Sequence, residues 1–165
     1  MSADHQNAAE ARVDRGRSAL DLDACVLRHV SRLSRAVVAA YDPALARHGL
    51  TGHQFNLMTT LRRMGPMSVG DLASALGMDP SGVPRAIRPL VEAGFVSTQS
   101  GEDRRRRMLE VTEAGAARLQ EAHAAWETVQ KELVGGIGSE TWGDLMDAMR
   151  GLRKAAAGCS TRKPV

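Results

Sequence analysis

At 165 residues and 43% apolar, the chain is long enough to bury one core without disulfide or metal staples, so a single soluble globular domain is expected. No apolar run approaches the roughly 20 residues that span a bilayer, and residues 1 to 20 lack the apolar centre of a secretory signal, which argues against a membrane span and predicts a cytoplasmic protein. The net charge of +3 is modest but concentrated: residues 80 to 107 hold six arginines against three acids, while the remainder balances at 16 and 16.

Residues 1–21 carry no sustained apolar stripe and read as a flexible arm. Over residues 22–48, Leu27, Val30, Leu33, Val37, Tyr41 and Leu45 recur at three- and four-residue steps, which predicts an amphipathic helix with a late kink at Asp42-Pro43. Thr51 with Gln54 is a capping box that opens a second helix carrying Phe55, Leu57, Met58 and Leu61, and Gly65-Pro66 ends it. Ser68 with Asp71 repeats that signal for a short helix through Leu76, with Gly77 as a left-handed stop. Asp79 is expected to cap the next helix, with Pro80 at its first position.

After Gly94, residues 95–99 and 107–111 read as two short strands joined by the polar stretch Ser100-Gly101-Glu102-Asp103, a hairpin with Arg104, Arg105, Arg106 and Arg107 at its tip. Thr112 opens a long helix through Val134, the glycines of Gly135-Gly136-Ile137-Gly138 break it, and Ser139 caps a last helix with Trp142, Leu145, Met146, Met149 and Leu152. The tail from residue 158 is expected to fray. The predicted fold is mainly α with a small β-hairpin wing: a winged helix-turn-helix over 51–112, and a helical dimerisation region from 22–48 and 113–157.

A helix, a tight turn, a second helix and an arginine-tipped hairpin form a reader of duplex DNA. Ser81, Arg85 and Arg88 offer polar groups near the start of the recognition helix, with Val83, Ile87, Leu90 and Val91 behind it. Arg105 is the expected minor-groove insertion, because a narrow groove concentrates negative potential, and Asp103 two residues before it orients its guanidinium. Arginine supplies 19 of the 22 basic residues, which favours bidentate contacts to guanine. Only five aromatics, Tyr41, Phe55, Phe95, Trp126 and Trp142, are present, too few to form an evident stacking platform, so double-stranded DNA is favoured over RNA or single strands.

The ordered series Leu50-Thr51 with Gln54, Ser68-Val69 with Leu72 and Ala73, Leu76-Gly77, Leu90 with Gly94 and Val96, Asp103-Arg104-Arg105, and Thr112 with Gly115 resembles the MarR family of bacterial transcription regulators across residues 22–157. The resemblance implies a homodimer with intertwined first and last helices. It further implies a pseudo-palindromic operator gripped by two winged lobes, and a small molecule or oxidant that releases the DNA. A repressor relieved by ligand is the expected sign. Pro84 and Pro89 depart from the pattern, standing where the family more often has Thr and Arg. Pro84 is expected to remove one intrahelical bond, and Pro89 to leave the Arg85 carbonyl unbonded and kink the helix, at about 3 kcal/mol if uncompensated. Either they shape packing against the wing or they take part in operator choice.

The resemblance also implies an effector pocket between the dimer helices and the winged lobe. For a small anionic, aromatic or phenolic ligand, the candidates are Arg32 and Arg35 on the first helix, His53 at the start of the second and Trp126 as an apolar wall. The rival sensor is Cys25, a redox candidate near the start of the first helix but two residues earlier than the reactive cysteine of peroxide-sensing members, with Cys159 in the tail as a conceivable partner. Cys25 and His29 share a helical face, yet two ligands are no zinc site, so neither a metal nor any cofactor is expected. With no phosphate loop, nucleophile elbow or paired-His motif the chain is not expected to be an enzyme. A winged-helix protein-interaction module is the alternative class, but it has no use for four consecutive arginines.

Overall fold

The computed structural model describes residues 23–100 and 107–160. The chain divides into two compact units, Met1–Ala39 and Ala40–Val165. In the first unit the described residues lead into helix α1 (Val26–Ala46), which begins four residues later than its apolar periodicity alone predicts and continues through Pro43. Leu27, Val30, Leu33 and Val37 lie along one stripe, and all are exposed in the single chain, Leu27 at 76%. The same stripe continues into the second unit as half-buried Tyr41 and fully buried Leu45.

The second unit holds the winged lobe. Helix α2 (Gly52–Met64) opens on the predicted capping box: Thr51 Oγ1 accepts from the Gln54 N–H, and Gln54 Oε1 accepts from the Thr51 N–H. Strand β1 (Met67–Ser68) leads directly into α3 (Val69–Leu76), capped by Ser68. Gly77 stops α3 at φ +65 and ψ +32, where its N–H bonds to Ser74 and that of Met78 to Ala73. A side chain is strained in that left-handed conformation, so the turn of the helix-turn-helix favours glycine.

Helix α4 (Val83–Glu92) starts three residues later than expected. Residues 80–82 form a turn closed by the Gly82 N–H on the Asp79 carbonyl, and the Asp79 carboxylate accepts from Ser81 rather than capping α4. Pro84 therefore sits in the first turn, where the backbone N–H has no partner inside the helix, and the predicted loss of an intrahelical bond does not arise. The helix also runs unbroken through Pro89.

Strands β2 (Val96–Ser100) and β3 (Arg107–Val111) pair antiparallel, from Val96 with Val111 to Ser100 with Arg107. Sequence reading missed β1, which adds to the other edge of β3, pairing Met67 with Leu109, so the sheet order is β1-β3-β2. Leu50, Met58, Leu61, Leu72, Leu90 and Leu109 are at most 2% exposed and centre the core against which α2, α3, α4 and the sheet pack.

Helix α5 (Glu113–Ile137) carries Gly135 and Gly136 inside it, contrary to the expected break, and stops at Gly138, where φ is +84. An interior glycine weakens a helix by only about 1 kcal/mol, which leaves it intact where neighbouring turns hold; a positive φ ends it. Helix α6 (Ser139–Ser160) extends past Gly158, where fraying was expected.

Candidate nucleic-acid interface and effector groove

Helix α4 is strongly two-faced. Val83, Ile87 and Leu90 are at most 5% exposed and anchor it to the core, with half-buried Val91 beside them. The opposite face carries exposed Pro84, Arg85, Arg88, Pro89 and Glu92. At about 100° per residue these five span an arc of roughly 140°, with Pro84 and Pro89 at its two margins and the charged residues between them.

Three of the predicted contacts thus stand on or next to one surface, but two are already engaged. The Ser81 hydroxyl donates to Asp79 Oδ1 at 2.5 Å and its N–H to the same oxygen at 2.8 Å, and these bonds hold the Asp79 carboxyl below its usual range. Arg88 Nε donates to Glu92 Oε1 at 2.7 Å, one turn along the helix. Such an exposed i, i+4 pair is worth about 0.3–0.5 kcal/mol, so a phosphate or a base edge can recruit Arg88 at little expense. Arg85 is exposed. Sequence reading did not anticipate either acidic partner, because both arise from the side chains' own conformations.

Arg107 is exposed at the start of β3. Asp103, Arg104, Arg105 and Arg106, and with them the expected orienting of Arg105 by Asp103, lie outside the described residues. The root of the wing is well defined. The Thr112 N–H bonds to the Phe95 carbonyl at 3.0 Å, and Thr112 Oγ1 donates to the Gly94 carbonyl at 2.7 Å while accepting from the Gly115 N–H. The Arg118 guanidinium lies 5.3 Å over the Phe95 ring, a cation–π contact that braces α5 against the base of β2. Gly115 is buried so close to Phe95 that no Cβ fits there.

Between α2 and α5 lies an open groove of roughly 870 Å³, lined by Phe55, Thr59, Arg62 and Arg63 from α2 and by Glu113, Gln120, His123 and Glu127 among the residues of α5. Neither predicted residue of this unit lines it. His53 is exposed at the start of α2, and the Trp126 ring packs on Phe55 at 6.1 Å with the His123 ring edge-on at 5.5 Å. Trp126 thus supports the groove's apolar floor from behind, while Arg62, Arg63 and His123 supply cationic or titratable groups that sequence reading missed. Lys131 pairs with Glu127 at 3.0 Å and holds that carboxyl below its usual range. Nearby, Tyr41 donates to Gln130 Oε1 at 2.5 Å, and burial pushes the phenol up.

In the first unit Arg32 and Arg35 are exposed on α1. Cys25 is half-buried and free, and Cys159 in the second unit is exposed and free. His29 Nε2 meets the Asp23 carbonyl at 2.6 Å. Among the described residues, no group of three or more His, Cys, Asp or Glu side chains could hold a metal, and no helix is long and apolar enough to cross a membrane.

Residues 50–107 match the MarR family model. The HTH-type transcriptional regulator YwoH of Bacillus subtilis is 24% identical over 115 residues, which cover 70% of this chain and 84% of YwoH. Among solved structures, the M. tuberculosis transcriptional regulator MosR in complex with DNA is 29% identical with a TM-score of 0.75, covering 82% of this chain and 98% of that one. A mutant E. coli MarR complexed with operator DNA shares the fold at a TM-score of 0.74 and 17% identity, over 82% of this chain and 99% of that one. The matching domain over residues 50–107, its three-stranded wing sheet and the helices on either side give this chain the winged helix-turn-helix fold of the MarR-type structures it resembles.

Proposed function

We propose that the chain is a homodimeric repressor that reads a pseudo-palindromic operator through α4 and the wing and leaves it when a small anionic ligand binds. The observation that carries this is the exposed face of α4, where Arg85 and Arg88 project from a helix whose other face is sealed into the core. The DNA complex of MosR supports duplex DNA as the partner. The exposed stripe of Leu27, Val30, Leu33 and Val37, with Ile137, Met149 and Leu152 exposed on α5 and α6, supports a second copy of the chain as the cover for these apolar faces. On this reading residues 22–48 and 113–157 dimerise and 51–112 bind DNA.

The groove beside Phe55 supports the effector site, with Arg62, Arg63 and His123 as anchors for a carboxylate and the Phe55–Trp126 stack as the apolar floor. Arg32, Arg35 and His53 are secondary candidates. A ligand there acts by favouring one spacing of the lobes, by no more than its differential affinity for the two states. The test is titration of the purified protein onto the intergenic duplex upstream of its own gene, with and without phenolic acids. Concentration-dependent binding that a phenolic acid reverses supports the reading. Binding that survives every acid but is reversed by peroxide, and not in Cys25→Ser, would replace it with a thiol sensor. No binding to any duplex would leave a protein-interaction module.

A further inference from the structure

We infer that Pro84 and Pro89 are base-reading residues that recognise the C5-methyl groups of thymines at the two margins of each half-site. This inference rests on the proposal that α4 enters the major groove.

The two prolines are the only apolar residues on the exposed arc of α4, and they bracket Arg88, Glu92 and Arg85. Both are exposed, turned away from the face of α4 that Val83, Ile87 and Leu90 bury in the core. Their chemistry restricts what they can read. A prolyl ring has no side-chain donor or acceptor and, within α4, no N–H, so it makes no hydrogen bond to a base edge or a phosphate. It also has almost no rotamer freedom to lose on contact. Within the major groove one base-pair feature is apolar, the thymine methyl. A rigid apolar ring on each flank of two arginines therefore matches a half-site with guanine near its centre and thymine on either side. Pro89 also removes the donor that would have bonded to the Arg85 carbonyl, a disadvantage in mid-helix that contact with DNA at this position would offset.

The experiment uses the full chain and duplexes that it enriches from a random-sequence library. Each enriched thymine is replaced in turn by deoxyuridine, which keeps the pairing and removes the methyl. The parent protein is expected to lose about fourfold in affinity for each methyl that a ring covers, at one or two positions per half-site. Pro84→Ser is expected to abolish the penalty at one position and Pro89→Ser at another, while Arg85→Ala leaves both penalties and relaxes the guanine preference. Both serine variants restore a backbone N–H at exposed positions, and their thermal melts report that the fold is kept. Enrichment with no thymine-to-uracil penalty overturns the inference and leaves DNA reading intact, as does a penalty that both serine variants retain. Weaker binding of the serine variants that is the same for thymine and uracil points to sugar contacts and also overturns it. Failure to enrich any duplex overturns the DNA-binding proposal itself.

Discussion

Gly115→Ala tests the join between the wing and α5. A Cβ built at Gly115 lies 2.9 Å from the Phe95 carbonyl carbon and 3.0 Å from Val111 Cγ1, and closer still to the Phe95 carbonyl oxygen. The obstruction is backbone, so it cannot rotate away; α5 must lift from β2. Lifting stretches the Thr112 N–H bond to Phe95 and the Thr112 hydroxyl bond to Gly94, each worth about 1 kcal/mol, and strain of this type adds about 1–3 kcal/mol. Alanine's better helix propensity returns only about 1 kcal/mol. The expected net destabilisation is about 3 kcal/mol, or a fall in Tm of about 6–12 °C for a chain of this size. Gly70→Ala in α3 is the control, because its Cβ would meet only Ser68 Oγ at 3.9 Å, and it should melt at or slightly above the parent. Circular dichroism melts of both variants decide the matter. If Gly115→Ala melts within about 2 °C of the parent, the close approach of α5 to Phe95 is not what fixes the wing.

Tyr41→Phe leaves Gln130 without its donor and should cost about 1 kcal/mol near neutral pH, measured by urea denaturation. Because burial raises the Tyr41 phenol above its usual value, its contribution is intact below about pH 10 and is lost as pH rises through the raised value, so the parent should lose stability in alkali more steeply than Tyr41→Phe. Asp79 has the opposite sign: its carboxyl is held low, so its contribution is intact above about pH 4 and is lost as pH falls through the lowered value. Asp79→Asn should therefore flatten the acid side of the stability curve by lowering stability in the neutral range, with the difference from the parent shrinking as pH falls through the lowered value. Glu92→Gln frees Arg88 and removes a carboxylate from the α4 surface; fluorescence anisotropy should show tighter binding to all duplexes at low salt, with the gain shrinking as ionic strength rises.

The features legible in the sequence are those whose cause is local. The Thr51–Gln54 box, the Ser68 cap, the Gly77 stop and the buried face of α4 each depend on residues within one or two turns of one another. Strand β1 was not legible because two residues show no alternation, and its partner Leu109 is 42 residues from Met67. Gly115 stood out only through a family pattern; its physical reason, contact with the Phe95 carbonyl, exists only once β2 and α5 meet. The groove escaped notice for the same cause, since Arg62 and His123 stand on helices far apart in sequence and come to line one groove only once α2 and α5 pack together. The delayed start of α4 has a different origin: Asp79 has one carboxylate, and Ser81 offers it both a backbone and a hydroxyl donor two residues away.

The charges on and beside α4 suggest a division of labour within the lobe. Arg85 and Arg88 are nearly cancelled by Asp79 and Glu92, so the recognition surface attracts phosphate weakly by itself. The sequence places four more arginines at 104–107. Affinity that depends on counterion release is thus expected to come mainly from the wing, and discrimination among bases from α4. Each phosphate contact removed should flatten the slope of log affinity against log salt by about 0.9. Replacing Arg104, Arg105 and Arg106 with alanine should remove several contacts per lobe, weaken all duplexes alike and flatten the slope accordingly. Arg85→Ala should change the slope by less than about one contact while narrowing the gap between preferred and random duplexes. If Arg85→Ala flattens the slope as much as the wing variants do and leaves base preference intact, the cancellation of charge on α4 does not govern how this lobe grips DNA.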